Sequence, residues 1–127
     1  MKLISIIQLL LFVFLMCTGQ ILFKKTALVA EKIIADKSNN IFFLIVHILQ
    51  IPYFFIALVV YGIATFYWLY LLQKIPLSLA YPFTALAMVI IPIASIYLFK
   101  ENLSNSYWIG SFFIVLGIII ISFKITN

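Results

Sequence analysis

The sequence predicts an all-α integral membrane protein with four transmembrane helices and a short interfacial helix before the second of them. Hydrophobic residues make up 67% of the 127 residues and charged residues only 9%, whereas ordinary soluble domains have roughly half and a quarter. Four apolar runs also lack any Asp, Glu, Lys or Arg, and each is close to the ~20 residues that cross a hydrocarbon core about 30 Å thick. A strand barrel is not expected, because it would need alternating polarity. We therefore treat 1–127 as one four-helix transmembrane domain, with spans at about 3–23, 53–72, 77–99 and 107–123.

The first run follows Lys2, and a basic residue before an apolar stretch also begins secretory signal peptides. Bulky Met16 stands just before Cys17, where lipoprotein processing needs a small residue, and 20–25 offers no pair of small residues for ordinary cleavage. We therefore expect the first helix to be retained.

The only sizeable polar segment, 24–40, is predicted to continue the first helix and then to turn at 38–40. The apolar decapeptide 41–50 follows. Joined to the second span, it would be much too long for one crossing. It is therefore predicted to form a short helix at the membrane interface, with Pro52 starting the second span.

The later spans are marked by a short connection, by prolines and by glycines. Only 73–76 separates the second run from the third, which predicts a tight antiparallel hairpin. Pro82 and Pro92 fall inside the third run, and each removes a backbone hydrogen bond and bends the helix. Such kinks are either merely tolerated or used to open a polar crevice or a hinge. Gly110 and Gly117 share one face of the fourth run and predict close helix packing, within one chain or between two.

Soluble-type catalysis and nucleic-acid binding are not expected from this composition. The net charge of +5 comes from eight lysines at span ends and in loops, where lysines anchor helices and meet anionic headgroups. His47 is the only histidine, and no cluster of His, Cys and Asp has metal-ligand spacing. We therefore expect no catalytic residue, no metal and no cofactor.

The best candidate for a binding site lies at the end of the first span, where Gln20 and Lys24 stand at i and i+4 on one helical face. A lysine at membrane depth beside an amide donor suits an anion such as a phosphate. The alternative is a lysine that snorkels to the surface and marks the helix end. None of the three acids, Glu31, Asp36 and Glu101, lies inside a run, which argues against proton-coupled export at a buried carboxylate.

Two further groups of side chains have the chemistry to line a groove. Tyr81 and Thr84, near the start of the third span, are either hydroxyl donors or a belt tyrosine and a threonine bonded to its own helix. Tyr61, Thr65 and Trp68 share a face of the second span, which either packs in the bundle or stacks on a sugar ring. Within one chain the third-span pair and the candidate anion site lie in opposite leaflets. Two chains of opposite orientation would bring them level.

Several short sequence words occur in order along the chain: Gly19-Gln20 followed by Lys24 or Lys25, Trp68 to Pro76 running into Ala80-Tyr81-Pro82, Leu98-Phe99-Lys100-Glu101, and Trp108-Ile109-Gly110 with Gly117. In these short motifs the chain resembles the four-helix members of the drug/metabolite transporter superfamily. The small multidrug resistance antiporters of that superfamily carry a glutamate where this chain has Met16 and a tryptophan where it has Thr84. The chain is more similar to the small flippase subunits that move aminoarabinose-phosphoundecaprenol across the bacterial inner membrane.

The resemblance implies a multi-pass inner-membrane protein that is not an enzyme and that translocates a polyprenyl-phosphate-linked sugar for envelope glycolipid modification. Lys24 or Lys25 would hold the phosphate, Gln20 and Tyr81 would donate hydrogen bonds, and Trp68 would pack against the sugar. Because about 80 membrane residues enclose no substrate path by themselves, we expect a dimer, either with a second copy or with a similar small four-helix subunit.

Glu101 is predicted to lie on the same side of the membrane as Lys24 and Lys25, since the first and third helices both end there. It would either clamp a lysine at rest and release it to a phosphate, as a gate, or form a static ion pair. Two other functions stay open. One is a cation or polyamine exporter that uses Glu101, and the other is a non-transporting assembly subunit of a membrane glycosyltransferase.

Overall fold

The computed structural model describes residues 3–34 and 40–126, and the side chains of 33, 34 and 124–126 lie outside that description. Within these ranges the chain forms helices and no strand. Among the described residues, four helical segments are long and apolar enough to cross a membrane, namely Leu3–Lys32, Pro52–Leu72, Leu77–Phe99 and Asn105–Phe123. The predicted fold class is therefore confirmed. Residues 38 and 39 of the predicted turn, and Asp36, lie outside the described residues.

Helix α1 runs from Leu3–Ile34 without interruption and so continues well past the apolar run that ends at 23. The predicted helical continuation is confirmed, because 24–34 contains no glycine or proline and is rich in good helix formers. A helix of 32 residues is about 48 Å long, which is longer than the ~30 Å hydrocarbon core. The extension after Lys24 packs on the rest of the chain, since it buries Thr26 and Ala30.

The predicted short helix before the second span is confirmed as α2, Ile41–Ile48. It begins at Asn40, whose side-chain oxygen accepts a hydrogen bond of 3.1 Å from the backbone N–H of Phe42. None of its described residues is buried, as expected of an apolar helix that faces a lipid surface. Helix α3, Pro52–Leu72, starts at its proline as predicted, because the missing N–H of proline is tolerated in the first turn.

Helices α1 and α3 form an antiparallel pair held by aromatic stacking. Phe12 of α1 stacks on Trp68 of α3 with ring centroids 4.6 Å apart, and Phe23 stacks on Tyr61 at 4.9 Å. Later residues of α1 therefore meet earlier residues of α3. The buried residues of α3 recur on one face at intervals of seven, as Ala57, Ala64 and Leu71.

The third span consists of three segments: α4 at Leu77–Ala80, a 3₁₀ turn at Tyr81–Leu86 and α5 at Ala87–Phe99. The predicted tight hairpin precedes the third span. It is closed by hydrogen bonds of 3.0 and 2.9 Å, which the N–H groups of Lys74 and Ile75 donate to one carbonyl at the end of α3. The change of helix type begins next to Pro82, which lacks the N–H that an α-helix needs.

Helix α6, Asn105–Thr126, completes the bundle and packs mainly on the 3₁₀ segment. Its first turn is bonded to α5, because the Tyr107 hydroxyl donates to the Met88 carbonyl. The largest buried cluster lies towards the hairpin end of the bundle and contains these residues: Leu9, Phe12, Val13, Cys17, Ala64, Leu71, Ile75, Ala80, Phe83, Ala87 and Ile118.

Candidate functional site

An ion pair joins the first and third spans at the end of the bundle away from the hairpin. Lys24 Nζ lies 3.6 Å from Glu101 Oε1, and the two side chains are 46% and 43% exposed. Each group is therefore partly exposed and reachable by a ligand. Exposed ion pairs of this kind contribute about 0–1 kcal/mol to the free energy of unfolding. An anion that binds the ammonium more tightly can therefore displace the carboxylate from the lysine with little loss of stability.

The backbone after α5 turns sharply and brings Glu101 to this position. Lys100 is the one non-glycine residue with positive φ in the described part of the chain, with φ 55° and ψ 36° in the left-handed region. Its N–H returns to the Ser95 carbonyl, and the N–H of Glu101 reaches the same carbonyl at 3.4 Å. This terminal turn closes α5 and fixes where the Glu101 side chain begins.

The two adjacent lysines of α1 have different partners. Lys25 Nζ lies over the ring of Tyr53, 5.7 Å from its centroid, at the start of α3. Its ammonium is therefore held by a cation–π contact, whereas that of Lys24 faces Glu101. Of the two lysines that sequence reasoning left as alternatives, Lys24 has the exchangeable anionic partner.

A buried polar group lies close to the lysine end of α1. The side chain of Gln20 is exposed, on the same face of α1 as Lys24. Tyr61 stacks on Phe23, and its hydroxyl oxygen is buried with no hydrogen-bond partner among the described residues. Gln20 approaches this hydroxyl, yet the two do not reach hydrogen-bond geometry.

Gly19 makes this arrangement of Tyr61 possible. A Cβ atom at Gly19 would lie 2.6 Å from Cε2 and 2.8 Å from Cδ2 of the Tyr61 ring, much closer than atoms pack. The Gly19-Gln20 pair is visible in the sequence. Only the antiparallel register of α1 and α3, however, shows that the Tyr61 ring is the one that packs against this glycine.

The other predicted binding residues lie near the opposite end of the bundle. Trp68 stacks on Phe12, which is about 18 Å along α1 from Lys24 at 1.5 Å per residue. Within one chain Trp68 therefore packs against α1 and does not share a site with Lys24. The expectation that both contact one sugar phosphate would need a second chain or a moving substrate.

Tyr81 and Thr84 also belong to the hairpin end. Tyr81 is 64% exposed and lines an open groove with Leu77, Ser78 and Pro82. The Thr84 hydroxyl donates to the Tyr81 carbonyl at 2.6 Å, as expected of a threonine bonded to its own helix. Tyr81 thus keeps an accessible side chain, whereas the Thr84 donor is occupied. Tyr81 and Phe99, the last residue of the third span, are about 27 Å apart along the helix.

The glycines of α6 make no close contact within the described chain. A Cβ atom at either Gly110 or Gly117 would meet nothing within 4 Å among the described residues. Both glycines thus have free space on the Cβ side among the described residues, and close packing within one chain or between two chains stays a prediction. Among the described residues no group of three or more His, Cys, Asp or Glu has the arrangement to hold a metal ion.

Comparison with known proteins gives a match over nearly the whole chain. The model of the EamA-like transporter family matches residues 2–123. A curated relative from Yersinia pseudotuberculosis serotype O:1b is 31% identical over 121 residues, which cover 95% of this chain and 98% of that protein. It is named a probable 4-amino-4-deoxy-L-arabinose-phosphoundecaprenol flippase subunit.

Two further relatives have the same name. The protein from Aeromonas salmonicida is 29% identical over 107 residues, covering 84% of this chain and 87% of the relative. The protein from Proteus mirabilis is 27% identical over 110 residues, covering 87% and 89%. No solved structure matches the chain.

Proposed function

Because this chain belongs to the EamA-like transporter family and is an integral protein of the bacterial inner membrane, we propose that it is a flippase subunit for a lipid-linked sugar phosphate. The substrate is an aminosugar on a polyprenyl phosphate, which is the class of molecule in the names of the relatives. The polyprenyl tail stays in lipid while the headgroup passes between helices, so the role is transport and not catalysis.

The observation that carries this proposal is the half-exposed pair of Lys24 and Glu101, with 3.6 Å between Nζ and Oε1. A phosphodiester has one negative charge and accepts charge-assisted hydrogen bonds from an ammonium. The carboxylate of Glu101 keeps Lys24 neutralised while no substrate is present. Exchange of this carboxylate for a phosphate keeps the Lys24 ammonium paired near the membrane core, where an unpaired charge is expensive.

An aminosugar phosphate also complements the released carboxylate. Its ammonium balances its phosphate, so the headgroup is a zwitterion with a net charge near zero. When the phosphate binds Lys24, the ammonium of the sugar can pair with Glu101, and the total charge of the site is unchanged. A neutral-sugar phosphate would leave Glu101 without a partner.

A second subunit is part of this proposal. The lysine end and the Tyr81 groove lie at opposite ends of one chain, about 27 Å apart along the third span. A partner of similar fold and opposite orientation would place its own groove beside the lysines of this chain, as inverted repeats do in transporters. The partner is either a second copy or a related four-helix chain.

The cation or polyamine exporter is the weaker alternative. Glu101 is the acid on which it depends, and Glu101 is already paired with Lys24. A cation would have to compete with a covalently tethered ammonium for the same carboxylate.

The test uses bacteria that lack this gene, complemented with the wild-type chain or with an empty vector. An amine-reactive reagent that does not cross membranes labels the aminosugar only after it reaches the outer leaflet. We expect the labelled fraction of the lipid-linked aminosugar to fall without the chain, while the total amount stays constant or rises.

Other outcomes identify the competing functions. Equal labelling with and without the chain would reject the flippase. A fall in the total lipid-linked sugar would instead indicate an assembly subunit of the synthesising enzyme. Changed polyamine sensitivity with normal labelling would indicate the exporter.

A further inference from the structure

The Tyr61 hydroxyl is a buried donor that the fold leaves unused. Its oxygen is shielded from solvent and has no hydrogen-bond partner among the described residues. Buried hydroxyls normally have a hydrogen-bond partner, because a hydroxyl without one loses its hydrogen bonds to water and forms none within the protein. The loss is greater in a membrane, where no water replaces the partner. An unpaired donor in such a place is a candidate for contact with a ligand.

The local packing holds this hydroxyl in place. The Tyr61 ring stacks on Phe23 with a centroid distance of 4.9 Å and an interplanar angle of 21°. It also lies against Gly19, where a Cβ atom would come within 2.6 Å of the ring. The contact with Gly19 and the stack on Phe23 together fix the ring plane, and thus the position of the hydroxyl oxygen.

The position of the hydroxyl relates it to the candidate anion site. Phe23, on which Tyr61 stacks, is the residue just before Lys24, and Gln20 approaches the hydroxyl from the same helix. Lys24 is one helical turn beyond Gln20, about 6 Å along the axis. The hydroxyl therefore lies on the membrane side of the Lys24 and Glu101 pair.

We propose that Tyr61 is a specificity-determining residue, whose hydroxyl donates a hydrogen bond to the phosphate of the polyprenyl-phosphate substrate from the membrane side while Lys24 binds the same phosphate from the surface side. This inference rests on the proposed function. The hydroxyl is covered at rest, so binding includes a local side-chain rearrangement that uncovers it.

The test is the variant Tyr61→Phe, which removes the hydroxyl and keeps the ring. The purified full-length protein in mild detergent is titrated with undecaprenyl phosphate, and separately with undecaprenol, which has the same tail without the phosphate. We expect Tyr61→Phe to weaken binding of undecaprenyl phosphate by about tenfold or more, the size of one hydrogen bond to a charged group. Binding of undecaprenol should not change.

Thermal unfolding of the unliganded variant separates this role from a structural one. A hydroxyl without a partner adds nothing to the fold, so the Tm of Tyr61→Phe should equal or exceed that of the wild type. A lower Tm would show that the hydroxyl has a structural partner, and the inference would be wrong. The matched control is Tyr97→Phe on the third span, where the residue is 80% exposed; it should change neither binding nor Tm.

The inference and the proposed function fail in different ways. If the wild type binds undecaprenyl phosphate no better than undecaprenol, the lipid-phosphate substrate itself is rejected, and Tyr61 has no phosphate to bind. If the wild type discriminates between them and Tyr61→Phe discriminates equally well, the proposed function stands and the role of Tyr61 is rejected.

Discussion

The hydroxyl of Tyr107 donates a hydrogen bond to the carbonyl of Met88, which is the carbonyl that Pro92 leaves without its helical donor. In an α-helix the carbonyl of residue i accepts the N–H of residue i+4, and proline has no N–H. Pro92 lies inside α5, four residues after Met88. The fourth span thus supplies a donor that the third span lacks, in a place where lipid offers none.

Loss of this donor should destabilise the protein in a way that depends on Pro92. We expect Tyr107→Phe to lower the free energy of unfolding by about 1 kcal/mol, the range of hydrogen bonds between membrane helices. In a Pro92→Ala background the restored N–H can satisfy the Met88 carbonyl, so the same change should have a smaller effect. Denaturant unfolding of the wild type, the two single variants and the double variant measures the coupling energy of this double-mutant cycle. Equal losses in both backgrounds would contradict the compensation.

The contact between Gly19 and Tyr61 predicts a difference between two glycines. Gly19→Ala places a Cβ atom 2.6 Å from the ring, and overpacking of this kind lowers the stability by about 1–3 kcal/mol. Gly62→Ala is the control, since a Cβ atom there meets nothing within 4 Å among the described residues. It should leave the stability unchanged or raise it slightly, because alanine favours a helix over glycine. Equal unfolding midpoints for the two variants would show that α1 and α3 do not pack in this register.

The different partners of Lys24 and Lys25 predict unequal effects on phosphate binding. We expect Lys24→Met to weaken binding of undecaprenyl phosphate by about tenfold or more, because a charge-assisted hydrogen bond is lost. Lys25→Met should have a much smaller effect, since that ammonium lies over Tyr53. Titration of both purified variants gives the comparison. If both variants and the double variant bind as the wild type does, these lysines are anchors only.

The gate hypothesis makes a separate prediction for Glu101. Glu101→Gln removes the resting partner of Lys24 but keeps the shape of the side chain. Folding should be almost unchanged, since a half-exposed pair contributes about 0–1 kcal/mol. Outer-leaflet labelling of the aminosugar should nevertheless fall in cells, because the ammonium of the headgroup loses its anionic partner. A static ion pair would instead leave labelling at the wild-type level.

The glycines of α6 predict where a second chain packs. We expect Gly110→Leu and Gly117→Leu to leave the helix content of the chain intact, because a Cβ atom at either position has free space among the described residues. Each should lower the dimer fraction in native mass spectrometry in mild detergent, since bulky side chains prevent close approach of helices. Gly62→Leu, on α3, is the control. An unchanged dimer fraction for both variants would place the interface elsewhere.

The helices follow from the sequence alone, because each depends on local chemistry. Apolar runs without charge predict spans, good helix formers after Lys24 predict the extension of α1, and Pro52 predicts the start of α3. The tight hairpin before the third span follows from a connection of a few residues. The amide and the lysine of the candidate site were also predictable, since i and i+4 share a face in any helix.

The contacts between side chains of different helices follow only from the three-dimensional packing. The choice between Lys24 and Lys25 depends on the positions of Glu101 and Tyr53, which are far away in the chain. The pairing of Gly19 with Tyr61 depends on the register of two antiparallel helices, and that of Tyr107 with Met88 on where α6 crosses α5. Local sequence patterns do not encode such contacts, because many registers bury a similar apolar area and differ only in the packing of a few side chains.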